Sequence, residues 1–280
     1  MMQELAVGLG YPESPYWSFQ DECLYLVEWT RDCVSRLGVG GVDVFFETGA
    51  TTGPSGICQD YQGNFWVCLY SACQLAKYNS HGEILAAYDR HAGEKFKGPN
   101  DLCLDSAGGL YFTDSGNWTD DWISGRPAGS VFYLSHLNEL SLVTREICYS
   151  NGIAISNDGR HLYVCEHRQN RVLAFDIFGV GKLSPARVFC QLDDKYLLEP
   201  ELAYELGPDG MCIDGEGNIW VAHFGGGKIV AIDPRGEILH EIHLPRGRRP
   251  TNLIRCPDTN TLYITEAELG ILYCLALDNL

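Results

Sequence analysis

The sequence predicts an all-β protein that folds as a six-bladed β-propeller, and three observations support this fold class. First, residues 207–223 read GPDGMCIDGEGNIWVAH, two alternating apolar runs joined by a glycine turn, which is typical of a β-hairpin. Second, similar hairpins begin at five other positions: Glu13, Gly56, Asn100, Asn151 and Asn252. Third, one aromatic residue of each copy recurs at intervals of 41 to 57 residues, as in four-stranded propeller blades: Tyr25, Trp66, Tyr111, Tyr163, Trp220 and Tyr263.

The blades are taken in chain order. Blade one runs from Ser14 to about Phe46, blade two from Gly56 to Asp89, and blade four from Gly152 to Leu192. Blade five contains residues 207–223, and the excursion DDKYLLEPELAYE separates it from blade four. The sixth copy has only three strand-like runs after Asn252, so the apolar stretch from Gln3 to Leu9 is expected to close the last blade as its outer strand.

Blade three begins at Asn100 and is interrupted after Asp114 by SGNWTDDWISGRPAG. Two tryptophans, Trp118 and Trp122, lie in this otherwise polar, glycine-rich loop. Such a loop beside the channel mouth can form a lid or wall of a substrate pocket, or its tryptophans can pack down onto the blade. Both interpretations stay open from the sequence.

Composition limits the function classes. We expect residues 1–280 to form a single domain, because a propeller uses this length and no linker divides it. A formal charge of -17 argues against nucleic acid or an anionic membrane as partner. No stretch is apolar and long enough to cross a bilayer and no signal sequence begins the chain, so a cytoplasmic location is expected.

The twelve cysteines are expected to be reduced. Several occupy strand positions where valine or alanine would serve, and no CxxC pair is present to bind zinc or to cycle between redox states. We therefore interpret them as small buried hydrophobic residues.

The residue that precedes each first strand is expected to face the central channel. These positions carry oxygen-bearing side chains: Glu13, Ser55, Asn100, Asn151, Asp209, and Thr251 or Asn252. Taken singly, residues such as Asn151 before Gly152 are ordinary turn formers. Taken together, the carboxylates and amides suit a hard divalent cation with open positions for water or substrate.

A second ring lies three residues beyond the aligned aromatic residues, where the second strands end. We expect the start of each second strand, rather than its end, to lie near the cation, and we assign the ring no catalytic role. His223 is interpreted as a structural histidine. The members of this ring are Glu28, Leu69, Asp114, Glu166, His223 and Glu266.

The chain resembles the SMP-30/gluconolactonase/luciferin-regenerating enzyme family over nearly its whole length. The resemblance is carried by ESPYW, GPNDL, FTDSG, NGIAIS, NDGRHLYV and GPDGMCIDGEGNIWVAHFGGG. It implies one bound divalent cation, Ca²⁺ in preference to Mn²⁺, Mg²⁺ or Zn²⁺, held by Glu13, Asn151 and Asp209. It also implies that Asn100 contacts the substrate. Where sugar lactonases of the family carry an arginine near the ND motif, this chain has Lys95 and Lys97.

We therefore expect a metal-dependent lactonase that acts on a small lactone. Asp209 would act as general base toward the attacking water as well as a ligand, and the chain has no GxSxG motif that would supply a serine nucleophile. Two alternatives remain: a non-enzymatic propeller that serves as a binding scaffold, and a metal-free enzyme of the strictosidine-synthase type. Converging carboxylates favour the lactonase, since a scaffold has no need for them.

Overall fold

The computed structural model describes residues 2–192, 205–256 and 258–277. Six antiparallel sheets follow one another along these residues, which confirms the six-bladed β-propeller. Short helical turns follow three of the second strands: Trp29–Arg31, Trp118–Trp122 and His167–Gln169. None of the described helices has the length and apolar character needed to span a membrane.

The strand bounds follow the repeat. Blade one consists of Pro12–Ser18, Cys23–Glu28, Cys33–Gly38 and Gly41–Glu47. Blade two consists of Pro54–Gln59, Phe65–Leu69, Gln74–Tyr78 and Ile84–Tyr88, followed by a small hairpin of Arg90–His91 and Glu94–Lys95. Blade three consists of Pro99–Leu104, Leu110–Asp114, Gly129–Leu134 and Leu140–Ile147.

The second half of the ring is similar. Blade four consists of Ser150–Ile155, His161–Glu166, Arg171–Gly179 and Arg187–Gln191, with the short Lys182–Leu183 also paired to its third strand. Blade five consists of Gly207–Ile213, Ile219–Phe224, Lys228–Ile232 and Ile238–His243. Blade six consists of Pro250–Cys256, Thr261–Glu266, Ile271–Ala276 and, from the other end of the chain, Gln3–Ala6.

The N-terminal strand closes the last blade, as the sequence predicts. Gln3–Ala6 pairs antiparallel with Ile271–Ala276. The Leu9 amide also donates a hydrogen bond to the Gly270 carbonyl at 2.9 Å. Because sheet edges with unpaired backbone groups promote aggregation, this pairing protects both the first strand and the last blade.

The core lies between neighbouring blades, where alternate side chains of facing sheets interdigitate. Five clusters of buried residues join blades one to six in succession. Blades six and one also meet through Trp17, whose ring stacks on Tyr263 with centroids 6.2 Å apart. All twelve cysteines are free, and burial raises the pKa of the Cys212 thiol to about 12, so this thiol is unreactive at neutral pH.

Candidate active site

A bulge turns the start of each first strand toward the channel. In every blade, the register between the first two strands shifts near the beginning of the first strand, as between Glu13 and Tyr16 or between Pro208 and Met211. A β-bulge places two residues opposite one and re-aims a side chain, which is why bulges recur beside active sites. The predicted ring positions lie at these bulges.

Four of the predicted ring residues line one cavity of about 450 Å³. We call these four the polar ring: Glu13, Asn100, Asn151 and Asp209. Glu13 is 8% exposed and Asp209 is 7% exposed, so both carboxyl groups are withdrawn from water. The structure thus brings together every residue that the sequence analysis assigned to the cation, the substrate or the base.

The remaining ring positions hold the blades together. The Ser55 hydroxyl donates to the Asn100 carbonyl at 2.8 Å, and the Thr251 hydroxyl donates to the Pro12 carbonyl at 2.8 Å. The Asn252 amide lies near a carboxyl oxygen of Asp101. Blades two and six therefore contribute bonds between blades at this level.

The glycines that follow Asn151 and Asp209 are not turn residues, because both motifs lie within strands. A Cβ on Gly152 would come within 2.3 Å of the Asp209 carbonyl oxygen. A Cβ on Gly210 would overlap the side chain of Asn252. Glycine is required because the inner strands of neighbouring blades approach so closely here, and this approach brings Asn151 next to Asp209.

Three buried carboxyl groups, those of Glu13, Asp209 and Asp101, are close enough to influence one another electrostatically. Burial, and then the charges of Asp209 and Asp101, raise the pKa of Glu13 well above its usual range. Burial and Asp101 likewise raise the pKa of Asp209, while a hydrogen bond from Asn151 lowers it. Burial raises the pKa of Asp101 to about 7. Asp101 was missed at the sequence level, although it follows Asn100 directly.

The donor set fits a hard cation. None of the described residues that line the cavity is lysine or arginine, so no described cationic side chain in its wall offsets the charges of Glu13 and Asp209. Carboxylate and amide oxygens are the ligands that calcium prefers. Within the described ranges, no group of three or more His, Cys, Asp and Glu side chains is placed to hold a metal. A cation here would therefore depend on asparagine oxygens as well as carboxylates.

The expectation about the second ring was wrong in one respect. Because the strands are antiparallel, the end of each second strand pairs with the start of the first: Pro12 lies opposite Glu28, and Pro208 lies opposite His223. The second ring therefore lies at the same end of the blades as the polar ring. His223 is fully buried and its Nε2 lies 2.7 Å from Asn170 Oδ1, which supports a structural role.

The carboxylates of the second ring hold the segments that lead into the first strands. The Gly10 amide donates to Glu28 at 2.6 Å, and the Gly98 amide donates to Asp114 at 2.6 Å. Glu166 and Glu266 accept in the same way from Cys148 and Arg249. These bonds fix the backbone just before the polar-ring residues.

Aromatic and imidazole side chains surround the cavity beside the polar ring. We call this set the aromatic collar: Tyr11, Trp29, Trp118, Trp122, Tyr149, His167 and Phe224. Tyr11 and Tyr149 each lie two residues before a member of the polar ring, and they pair through their carbonyls with the amides of Trp29 and His167. Two strand residues span ~7 Å, so these two tyrosines of the collar lie about that far along the chain from the polar ring.

The collar is held in a strained backbone. Tyr11 has φ of +56° and Tyr149 has φ of +64°, in the left-handed region that bulky residues avoid. Such conformations cost on the order of 1–3 kcal/mol and are concentrated at functional sites. A Cβ on Gly207 would lie 2.2 Å from the His167 carbonyl, so glycine is needed where blade four meets blade five.

The two tryptophans of the blade-three loop have different environments. Trp122 is 5% exposed and lies 6.1 Å from Tyr149 and 6.0 Å from His167 between ring centroids. Trp118 stacks on Trp122 at 4.1 Å but is 46% exposed. One tryptophan therefore packs down while the other extends the wall of the cavity, so both interpretations of this loop hold in part.

His167 is buried within the collar, with 2% of its surface exposed. Burial, and then the charge of Arg168, lower its pKa to about 3, and the backbone carbonyls of Pro208 and Glu205 partly offset this. Neither ring nitrogen makes a well-oriented hydrogen bond to any described residue. The imidazole is therefore neutral at physiological pH and presents polar atoms beside the cavity.

The sequence contains a pattern that marks part of the collar. The residue directly after each second-ring position is aromatic or histidine in four blades, and three of these four residues line the cavity. The six residues are Trp29, Tyr70, Ser115, His167, Phe224 and Ala267. In blade three, where the residue is a small serine, the Trp118–Trp122 turn occupies the space instead.

Other predicted features lie outside the cavity. Lys97 pairs with Asp121 at 3.7 Å, and neither Lys97 nor Lys95 lines the cavity. Arg249, from the basic RGRRP segment, pairs with Glu205 at 2.8 Å and stacks over Phe224 at 5.8 Å. The acidic excursion falls mainly on residues 193–204, which lie outside the described residues.

Comparisons with known proteins agree with this architecture. A sequence model of the family described as SMP-30/Gluconolactonase/LRE-like region matches residues 11–268. The lactonase drp35 of Staphylococcus haemolyticus is 31% identical over 210 residues, which cover 69% of this chain and 60% of the relative. The chain thus spans about 60% of the length of the curated relatives it matches.

Two solved structures superimpose on 98% of the chain. A gluconolactonase from Xanthomonas campestris gives a TM-score of 0.81 at 24% identity, with 89% of that chain covered. Regucalcin from Agrobacterium tumefaciens, a calcium-binding protein, gives 0.80 at 18% identity, with 93% covered. At these identities the superpositions establish the fold alone.

Proposed function

The chain belongs to the SMP-30/gluconolactonase/LRE-like family, and from this premise we propose that it is a divalent-metal-dependent hydrolase that opens lactone rings. One observation carries the proposal: two buried carboxyl groups, Glu13 and Asp209, share a cavity with two asparagines and with no described lysine or arginine. Buried charges of one sign require a partner, and a cation would supply it. The lactonase activity named for several relatives agrees with this chemistry.

The residues of the polar ring would have the roles in cation binding and substrate orientation that the sequence predicts. Glu13, Asn151 and Asp209 would hold the cation, preferably Ca²⁺, and Asn100 would orient the substrate. A bound divalent cation polarises an ester carbonyl and stabilises the negative charge that develops on its oxygen. Asn151 donates a hydrogen bond to Asp209, which keeps that carboxylate oriented in the cavity.

Asp209 would act as the general base. Burial and Asp101 raise its pKa in the cation-free fold, and a bound cation would lower it again, so that the ionised carboxylate could accept a proton from water. A water oxygen attacks the carbonyl carbon while Asp209 takes the proton. The ring C–O bond then breaks, and the proton passes to the departing alkoxide, which leaves an open hydroxy acid.

The test combines metal analysis with an activity panel. The purified protein should contain a divalent cation, and it should hydrolyse at least one lactone. Chelation should abolish this activity, and Ca²⁺ or Mn²⁺ should restore it. Hydrolysis that persists after complete chelation would exclude the metal site, and a fully loaded protein that opens no lactone would exclude the lactonase.

A further inference from the structure

The side chains that line the cavity outside the polar ring indicate which class of lactone fits the site. Beyond the polar ring, the side-chain polar groups that line the cavity in the described ranges are the hydroxyls of Tyr11, Thr30 and Ser71, the imidazole of His167 and the indole N–H groups of three tryptophans. The Tyr149 hydroxyl is already engaged, since it lies 3.0 Å from the Tyr70 hydroxyl. The remaining wall consists of aromatic surface.

This wall is poorly suited to a polyhydroxylated lactone. A hydroxyl that is buried without a hydrogen-bond partner weakens binding, and a sugar lactone carries several hydroxyls. A site that selects a sugar therefore provides matched donors and acceptors around the ring. Here Lys95 and Lys97 lie outside the cavity, and Arg249 is paired with Glu205.

The same wall is well suited to an apolar group. Trp118 lines the cavity and stacks on Trp122, and 46% of its surface is exposed. Phe224 and Tyr149 supply further aromatic surface to the same wall. Binding of an aryl or alkyl group would remove this surface from water, which stabilises a complex in proportion to the area covered.

We propose that the substrate is a lactone with an apolar aryl or alkyl substituent, which binds against Trp118, Trp122 and Phe224 while the lactone carbonyl faces the polar ring. The inference rests on the proposed lactonase function for the position of the ester. Its selectivity depends on the collar alone. Trp118 is then a specificity-determining residue, because it is the member of the Trp118–Trp122 pair with free surface.

The experiment separates binding from turnover. Calorimetry measures binding of two non-hydrolysable cyclic ethers to the full chain, with and without Ca²⁺: a phenyl-substituted tetrahydropyran and anhydroglucitol. In parallel, kcat/KM is measured for a phenyl-substituted valerolactone and for glucono-δ-lactone. We expect the phenyl ether to bind at least ~10-fold more tightly than the polyol, the scale of one good aromatic contact.

The variant Trp118→Ala should reduce binding of the phenyl ether and kcat/KM for the phenyl lactone by ~10-fold, with little effect on the sugar analogues. Phe178→Ala is the matched control, because Phe178 is an aromatic residue that is 74% exposed on blade four and does not line the cavity. It should leave all four measurements unchanged.

The outcomes distinguish the two proposals. Equal or tighter binding of anhydroglucitol, or a Trp118→Ala variant that affects both classes equally, would overturn the apolar substrate class while leaving the lactonase in place. Selective binding of the phenyl ether that depends on Trp118, without hydrolysis of either lactone, would support the apolar site and contradict the proposed function.

Discussion

The polar ring and the aromatic collar are built on the same repeat, one step apart along the strands, yet they affect stability in opposite ways. The polar ring buries Glu13 and Asp209 near Asp101, so like charges face one another. The collar buries aromatic rings such as Trp122 against each other. Burial of aromatic surface therefore favours the fold at the wall of the site, although Tyr11 and Tyr149 are strained there, whereas the buried carboxyl groups of the polar ring disfavour it.

The largest expected effect lies in the collar. Trp122→Ala removes a tryptophan that is 5% exposed and leaves a cavity between the blade-three loop and blade four. We expect a loss of ~3–5 kcal/mol in the free energy of unfolding, measured by denaturant titration. Trp118→Ala is the control and should cost less than ~1 kcal/mol, because Trp118 is 46% exposed. Equal effects of the two variants would contradict the distinction between them.

The polar ring should respond to its cation. At a Ca²⁺ concentration of 100 times the dissociation constant, the free energy of unfolding should rise by ~2.7 kcal/mol relative to chelated protein, measured as a shift in Tm. Absence of any shift with Ca²⁺, Mn²⁺ or Mg²⁺ would argue that no cation binds here.

The variant Asp209→Asn tests whether the polar ring, unlike Trp122 in the collar, lowers the stability of the fold. Because the pKa of Asp209 is raised in the fold, the cation-free fold loses stability as the pH rises above 3.8, where the unfolded chain releases this proton and the fold retains it. The neutral variant should therefore be more stable than the parent in chelator and should gain less from Ca²⁺. Thermal unfolding in both conditions measures this, and a variant that is less stable than the parent in chelator would contradict it.

A smaller effect concerns the buried histidines. Burial lowers the pKa of His167 and of His223 to about 3, with Arg168 and Lys228 as the next causes. In the unfolded chain these two histidines bind protons near pH 6.5, whereas in the fold they stay neutral until about pH 3. The free energy of unfolding is therefore highest above pH 6.5 and falls as the pH is lowered toward 3. Each histidine contributes a slope of ~1.4 kcal/mol per pH unit in that range.

The variant His167→Phe should remove the contribution of one histidine to the pH dependence of the free energy of unfolding. Denaturant titrations between pH 7 and pH 4 measure the free energy of unfolding of the variant and of the parent. The channel carboxylates have raised pKa values and act in the opposite direction, but they are present in both proteins, so the difference reports on His167 alone. His81→Asn, at an exposed position, should leave the slope unchanged. Parallel pH profiles for the parent and His167→Phe would show that the pKa of His167 is not lowered in the fold.

The sequence predicted the parts of the molecule that repeat. Hairpin periodicity indicated six blades, and the incomplete last copy indicated that the stretch from Gln3 to Leu9 would close the ring, where the structure has the strand Gln3–Ala6. Oxygen-bearing residues at equivalent positions indicated the polar ring, although Asn151-Gly152 and Asp209-Gly210 carry their glycines for close approach of strands rather than for turns. Positions that recur in every blade can be identified from the sequence alone.

The remaining features depend on contacts between blades. The collar was missed because the ends of the second strands were placed away from the polar ring, whereas antiparallel pairing brings them beside it. The residue that follows each second-ring position also varies from Trp29 to Ala267, so no single residue pattern marks the collar. Asp101 is buried by residues of distant blades such as Asn252, a contact that local sequence does not reveal.

The central claim is that the polar ring performs the chemistry while the collar binds the substrate, and turnover by Asp209→Asn tests it most directly. The variant, shown by metal analysis to contain a cation, is compared with the parent and with Asp158→Asn, an exposed control. We expect kcat for the preferred lactone to fall at least ~100-fold while binding of the phenyl-substituted tetrahydropyran stays unchanged. A cation-loaded variant that hydrolyses lactones as fast as the parent would contradict the account.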